Sequence, residues 1–127
     1  MKRIKIIAGN TTIEATLADT PCAQAIGNIL PISTKTNTWG DEIYFSIPVH
    51  YELDSTSRNV VEVGDLGYWP EGPAFCIFFG PTPISKNNEI RPASAVNIVG
   101  KIKEDSKCLR KVPSGSKITI EQVREDV

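Results

Sequence analysis

The stretch Gly64–Pro83, GDLGYWPEGPAFCIFFGPTP, decides which folds are open to this chain. Two apolar runs, Leu66–Trp69 and Ala74–Phe79, are separated by the turn sequence PEGP, which predicts a strand, a turn and a second strand. The core of the second run, FCIFF, has no polar residue, so both faces of that strand should be covered. In a chain of this size, such a strand predicts a closed barrel or a sheet beneath a helix.

The overall composition is that of a single globular domain. The chain has 127 residues, 40% of them hydrophobic, and a formal net charge of −1. Its 14 lysines and arginines are scattered, which argues against a nucleic-acid partner. No apolar run approaches the roughly 20 residues that span a bilayer, and the N-terminus lacks the apolar core of a signal peptide. We therefore expect a cytoplasmic protein with no membrane partner.

The cysteines and the histidine do not form a recognisable site. The three cysteines are far apart and odd in number, which predicts reduced thiols rather than disulfides or a zinc site. Cys76 has apolar neighbours and is expected to be a buried, inert thiol. His50, the single histidine, shares a face only with Glu52, and two ligands are too few for a metal. We expect neither a metal nor a cofactor.

The rest of the chain predicts short strands and little helix. Two alternating runs, Arg3–Ile7 and Thr11–Leu17, surround a Gly-Asn dipeptide, which predicts a hairpin. Cys22–Leu30 has apolar residues at helical spacing and precedes Pro31, so a short amphipathic helix is expected. One or two helical turns are expected at Asp105–Lys111. The other expected strands are Ile32–Asn37, Glu42–Val49, Val60–Val63, Ala95–Ile102 and Lys117–Val123. About eight short strands with one or two short helices favour a mainly β, antiparallel-rich closed barrel.

Three segments carry a family resemblance: GDLGYWP at Gly64–Pro70, FCIFFGPTP at Phe75–Pro83 and IRPASAVNIVG at Ile90–Gly100. They resemble the small cyclophilin-like proteins of bacteria and archaea, a family of mostly uncharacterised proteins. The opening hairpin, the helix and the Tyr44–Pro48 strand are also similar to that family. The resemblance implies one cyclophilin-like domain over residues 1–127, a closed β-barrel capped by helices.

The resemblance does not extend to the residues with which a cyclophilin isomerises prolyl bonds. That pocket uses an arginine to polarise the prolyl amide, together with a glutamine, a phenylalanine, a tryptophan and a histidine. Here the glutamine position falls on Glu62 and the arginine position near Asp54. The tryptophan and histidine positions fall near Arg91 and Val96. The isomerase machinery is therefore not recognisable, and a shared fold does not transfer the function.

The candidate ligand contacts surround the GPTP turn and the loop before Arg91. Arg91 either anchors an anionic or carbonyl ligand or pins its own loop through Glu89 or Glu62. The GPTP sequence is either a rigid groove wall, with the Thr82 hydroxyl facing a ligand, or a turn stiffened by two prolines. The candidate residues are Tyr44, Glu62, Phe78, Pro81, Thr82 and Arg91.

These observations favour a binding protein for a peptide segment or small ligand, with no recognisable isomerase chemistry. One alternative is a divergent prolyl isomerase in which Arg58 or Arg91 replaces the missing arginine. Another is an accessory subunit, because cyclophilin-like barrels occur in amidolytic enzyme pairs such as allophanate hydrolase. The sequence names neither a catalytic residue nor an oligomeric state.

A coupled prolyl-peptide assay separates the first two hypotheses. We expect no isomerisation above the uncatalysed rate, because no arginine occupies the position that polarises the prolyl amide. A rate above background that disappears in Arg58→Ala or Arg91→Ala would instead show catalysis. An accessory subunit would be recognised by a second polypeptide that copurifies with the chain.

Overall fold

The computed structural model describes residues 1–123; residues 124–127, the end of the expected domain, lie outside the described part. Within residues 1–123 the chain forms ten strands, one α-helix and one 3-10 helix. The strands are β1 (Lys2–Ala8), β2 (Thr11–Leu17), β3 (Ile32–Lys35), β4 (Asn37–Thr38), β5 (Glu42–Ser46), β6 (Ser57–Arg58), β7 (Asp65–Trp69), β8 (Ala74–Phe78), β9 (Val96–Ile102) and β10 (Lys117–Gln122). The helices are α1 (Pro21–Asn28) and the 3-10 helix Lys107–Lys111. The predicted mainly β class is confirmed.

The sheet nearly closes into a barrel through a single extended segment. The strand order is β3-β10-β1-β2-β9-β7-β8-β5-β4, with β6 beside β9. Its two ends, β3 and β4, are consecutive in the chain and joined by Thr36, so the segment pairs first with β10 and then with β5. At the junction, the Thr36 N–H donates to the Ser116 carbonyl at 2.8 Å and its hydroxyl to the Pro113 carbonyl at 3.1 Å. The polar groups at the junction are therefore satisfied, and the predicted barrel is confirmed.

The first hairpin and the helix form as their sequences predict. β1 and β2 pair in register along their whole length. α1 begins after Thr20, whose hydroxyl accepts from the Ala23 N–H at 3.4 Å, and Pro21 occupies the first turn, where no N–H is needed. The buried side of α1, including Cys22 and Ile26, joins the interior cluster of the barrel. No helix in the described part is both long and apolar enough to cross a membrane.

The central stretch forms the predicted hairpin of β7 and β8. Gly64 leads into it at a φ of 91°, a conformation that favours glycine. The Asp65 carboxylate accepts from the Glu62 N–H at 2.7 Å and pairs with Lys101 Nζ at 3.0 Å, so it closes the turn before β7. The pairing of β7 with β9 shifts its register between Leu66 and Gly67, next to Gly100, which marks a β-bulge or similar irregularity.

Strand β8 is buried on both of its faces, as its apolar sequence predicts. On the inner face, the rings of Phe45 and Phe75 stack with centroids 5.5 Å apart within the interior cluster. On the outer face, Cys76 and Phe78 belong to a second apolar cluster that includes Ile90. Ile90 lies on residues 79–95, which we call the crossing segment because they pass over the outside of the barrel between β8 and β9. An irregular segment, rather than a helix, therefore covers this face.

Some predicted elements differ from the structure. Val60–Val63 is not a strand: it contributes only an isolated bridge between Val61 and Ile90, because its neighbour is the irregular crossing segment. The expected strand Glu42–Val49 ends at Ser46, before Pro48. The expected strand Ile32–Asn37 is divided into β3 and β4, and the short strand β6 was not predicted.

The close approach of β9 to β2 predicts the effect of substituting Gly100. A Cβ at Gly100 would lie 2.3 Å from the Thr16 carbonyl oxygen, a backbone atom that cannot move without disturbing the β2–β9 pairing. We expect Gly100→Ala to lower the free energy of unfolding by about 1–3 kcal/mol, measured by chemical denaturation.

Gly27→Ala is the matched control, because it makes the same change inside α1. A Cβ there would meet only the end of the flexible Lys2 side chain, at 3.0 Å from Nζ. Alanine is the better helix former, so this variant should be about 0.5–1 kcal/mol more stable. Equal effects of the two substitutions would contradict the role assigned to the Gly100 contact.

Candidate functional site

A pocket of about 170 Å³ lies on the outer face of the barrel, where the crossing segment leaves β5, β7 and β8 partly uncovered. Three aromatic side chains line it: Trp39 in the turn before β5, Tyr44 within β5 and Trp69 at the end of β7. The apolar remainder of the wall consists of Pro92, Ala93 and Val96. Three stretches distant in sequence thus surround a largely apolar space, which is the usual character of a small-ligand site.

The turn that carries Trp39 is held in place by the GPTP sequence. Trp39 and Glu42 exchange backbone hydrogen bonds of 2.9 and 3.2 Å across the turn. Between them, the Asp41 N–H donates to the Pro81 carbonyl at 2.9 Å, and the Asp41 carbonyl accepts from the Phe79 N–H at 2.9 Å. The GPTP sequence therefore acts on the pocket indirectly, because it supports the turn that presents Trp39.

Trp69 is fixed from two sides. Its indole N–H donates to Ser94 Oγ at 2.6 Å, and the Ser94 hydroxyl donates in turn to the Glu71 carboxylate. On another side the ring lies against Gly72, where a Cβ would stand only 2.4 Å from the ring atom Cζ3. The hydrogen bonds tie the crossing segment to the β7–β8 turn, and the glycine leaves room for the ring.

Glu42 places a carboxyl group in the otherwise apolar wall. Its side chain points to the outer face of β5, opposite Phe78, and the residue is only 6% exposed. Burial raises the pKa of Glu42 to about 7, and a hydrogen bond from the Cys76 thiol opposes part of that rise. Within residues 1–123, no cationic side chain lines the pocket and no ion pair involves Glu42. The carboxyl is therefore close to half ionised near neutral pH without a charged partner.

Cys76 lies beside Glu42 in the pocket wall. Complete burial raises the pKa of the Cys76 thiol well above its ordinary value, and the nearby Glu42 carboxylate raises it further. The thiol thus stays protonated, and its single weak S–H donor faces two acceptors, the Glu42 carboxyl and the Ala74 carbonyl oxygen at 4.0 Å. These properties agree with the inert thiol expected from the sequence, although the acidic neighbour was not predicted.

Of the six residues proposed as ligand contacts, only Tyr44 lines this pocket. Phe78 is fully buried in the outer-face cluster and does not line the pocket. Pro81 and Arg91 line two other depressions, which adjoin each other at Ser85 and Lys86. Glu62 is 86% exposed, and its carboxylate is 3.9 Å from Lys101 Nζ. The structure therefore does not gather the six residues into one site.

Thr82 and Arg91 close a loop on themselves. The Thr82 hydroxyl donates to the Arg91 carbonyl, and Ser85 Oγ accepts from the N–H groups of Thr82 and Arg91 at 2.9 and 3.0 Å. The Arg91 guanidinium pairs with the Glu89 carboxylate at 2.6 Å. Thr82 is only 5% exposed, and its polar atoms are used inside the loop. The structure thus shows the loop-pinning role that the sequence offered as one of two alternatives for Arg91.

The other residues weighed from the sequence lie away from the pocket. Arg58 is exposed in β6 and does not line it. His50 is also exposed, and residues 1–123 contain no group of three or more His, Cys, Asp or Glu side chains that could hold a metal ion.

Apart from Tyr44, the pocket residues were not among the predicted ligand contacts; they are Trp39, Glu42, Trp69, Cys76, Pro92, Ala93 and Val96. One available signal was the alternation of β5, because Glu42 shares a strand face with Tyr44. Trp39 falls between two predicted strands, and Pro92 was noted only within the Ile90–Gly100 segment that carries the family resemblance. Their convergence depends on how the crossing segment passes over the barrel, which no local pattern reports.

The fold and the pocket define a class of small antiparallel β-barrels that carry a long irregular segment across their outer face. The chain belongs to the cyclophilin-like family, whose sequence pattern matches residues 2–121. None of the curated proteins compared with the chain matches it.

Two solved structures are similar to this one. The solution structure of the hypothetical protein AF2241 from Archaeoglobus fulgidus has a TM-score of 0.81 and 42% sequence identity, and the match covers 96% of this chain and 95% of that one. The structure of McbB in complex with tryptophan has a TM-score of 0.68 and 16% identity, and the match covers 98% of this chain and 46% of that one. The second likeness shows a shared fold.

The burial of Glu42 predicts a pH-dependent loss of stability. Its pKa is about 7 in the folded chain and near the ordinary value of 4.5 in the unfolded chain. The folded state thus binds the proton more tightly, and the stabilisation is complete below about pH 4.5 and is lost as the pH rises through about 7. At 1.36 kcal/mol for each pKa unit, the loss amounts to about 3 kcal/mol.

Chemical denaturation between pH 4 and pH 8 measures this effect. The stability of the wild type relative to Glu42→Gln should fall across that range, because glutamine does not titrate. Glu62→Gln is the matched control, since an 86% exposed carboxylate should give no such trend. A pH-independent difference between the wild type and Glu42→Gln would contradict the assignment.

Proposed function

We propose that this chain is a binding protein that takes a small, largely apolar group of a small molecule or peptide segment into the Trp39–Tyr44–Trp69 pocket. The observation that carries the proposal is the pocket wall itself: three aromatic side chains and one buried carboxyl around a preformed space. Its volume, about 170 Å³, is below the roughly 300–1,000 Å³ of sites that enclose a whole drug-sized ligand. The pocket therefore suits one group of a ligand rather than the entire molecule.

The way the walls are anchored supports binding. Trp39 is held through the backbone bonds between Asp41 and Pro81, and Trp69 through its bond to Ser94. Because these side chains are already positioned, a ligand would not have to bear the entropic cost of ordering them. Aromatic side chains that are held in position before a ligand arrives are expected in a binding site, whereas an accidental gap in the surface does not require them.

The same wall argues against the prolyl isomerase alternative. Among residues 1–123 the pocket has no cationic side chain that could polarise a prolyl amide. Val96, which the family resemblance places near the histidine position, is one of the lining residues and is aliphatic. Arg91, one of the two suggested substitutes for the arginine, is paired with Glu89. These features favour binding without conversion.

Nuclear magnetic resonance provides a direct test, because the chain has only two tryptophans and both line the pocket. Indole and tryptophan are suitable probes; tryptophan is included because it is bound to McbB, a protein of similar fold. We expect at least one of these probes to shift the indole N–H signals of Trp39 and Trp69 in a saturable titration. The backbone signals of β1 and β2, two strands that do not line the pocket, should remain unchanged.

Ala93→Leu should abolish or strongly weaken the shifts, because Ala93 is an exposed residue of the pocket wall and the larger side chain would fill the space. Val63→Leu is the control, since Val63 is 52% exposed and lies outside the pocket. Equal titrations for both variants would place binding elsewhere on the chain. The absence of any saturable shift with either probe, and with the probes named below, would overturn the proposal.

A further inference from the structure

We propose that the group received by this pocket is an alkylated ammonium ion, with Trp39, Tyr44 and Trp69 as its aromatic enclosure and Glu42 as its counter-charge. This inference rests on the binding function proposed above and specifies the chemistry of the ligand. It follows from three properties of the wall formed by residues 1–123: the kind of side chains, the position of the one carboxyl group that lines it and the absence of a lining cation.

The side chains are those that recognise organic cations. Tryptophan and tyrosine present electron-rich ring faces, and a cation near such a face gains about 0.5–2 kcal/mol, more where water is excluded. Trp39, Tyr44 and Trp69 are all partly buried around one space. Several rings around one small volume favour a rounded, weakly hydrated cation, because methyl groups on nitrogen contact the rings while the positive charge is shared among them.

The carboxyl group supplies the charge that such a ligand requires. Glu42 is 6% exposed and lines the pocket, and within residues 1–123 its carboxyl receives a hydrogen bond from the weak Cys76 donor. A buried carboxylate without a cationic partner is unfavourable, and a bound cation would remove that penalty. A neutral ligand would leave the carboxyl as it is, and an anionic ligand would be repelled by it.

The surroundings of the pocket strengthen its preference for cations. The Glu71 carboxylate, which accepts from Ser94 beside Trp69, adds a second acidic group near the pocket. Within residues 1–123, the cations that line depressions on the other parts of this surface, such as Lys86 and Arg110, do not line this one. The local field therefore attracts positive charge into an apolar space.

The test compares choline with 3,3-dimethyl-1-butanol, its neutral isostere, in which a carbon atom replaces the nitrogen. Both titrations are followed by the indole N–H signals of Trp39 and Trp69 at pH 8, where Glu42 is mostly ionised. We expect choline to bind about tenfold or more tightly than the alcohol, because the two differ only in charge. A capped trimethyl-lysine, compared with capped lysine, shows whether the same group is also accepted from a peptide.

Two variants test which pocket residues cause the preference for choline over the alcohol. Glu42→Gln should remove most of the preference for choline, and Trp39→Leu should weaken choline more than the alcohol, because leucine keeps an apolar surface without a ring. Glu62→Gln is the matched control and should bind as the wild type does, since Glu62 is outside the pocket. The indole signal of Trp69 reports binding in the Trp39→Leu variant.

The outcomes separate this inference from the function on which it rests. Equal affinity for choline and the alcohol overturns the cation inference and leaves a binding pocket for neutral groups. A preference for choline that persists unchanged in Glu42→Gln overturns the role given to the carboxylate, and with it the inference. If indole, tryptophan, choline and the alcohol all fail to bind, the proposed function and the inference are both wrong.

Discussion

The structure depends on covering β8 on both of its sides. Each residue from Ala74 to Phe78 is buried, so the strand cannot lie at a solvent-facing surface without exposing a large apolar area. The barrel interior covers one face, where Phe45 stacks on Phe75. The other face needs a separate cover, and the chain supplies it with residues 79–95. An irregular segment can do this because its own polar groups are satisfied locally, for example by Ser85 between Thr82 and Arg91.

The pocket lies where the crossing segment does not cover the outer face of the sheet. The crossing segment contacts the outer-face cluster through Ile90 and approaches β5 again at Pro92, but it does not fill the space between Trp39, Tyr44 and Trp69. A side chain on the edge of this space is partly removed from water even though it is outside the barrel. The raised pKa of Glu42 therefore has the same origin as the fold, namely the burial of the outer face of the sheet.

A carboxyl in that position is unfavourable for the folded chain alone. An apolar residue opposite Phe78 would extend the outer-face cluster without a desolvation penalty. Glycines at close approaches show a similar compromise: at Gly72 the missing side chain leaves room for the Trp69 ring. Residues that reduce stability and shape a pocket are the ones expected at a functional site, because there the selection is for the ligand and not for packing alone.

The strands of the central hairpin, the short amphipathic helix before Pro31 and the two-sided burial of β8 could all be predicted from the sequence, since each depends on residues adjacent in the chain. It also indicated the barrel, because many short alternating runs leave few other ways to cover a wholly apolar strand. The local pattern wrongly predicted a strand at Val60–Val63, where the apolar residues resemble a strand but only Val61 forms a single bridge, to Ile90.

Which residues share a pocket depends on how distant segments of the chain pack together. Arg91 and Thr82 have the chemistry of ligand contacts, yet their polar groups serve the loop that contains them. Trp39 and Pro92 look like turn residues, yet the crossing segment brings Pro92 to Trp39 and Glu42 across more than 40 intervening positions. A pattern of neighbouring residues records the local preference of the backbone, whereas a site on the outer face is set by contacts between distant segments.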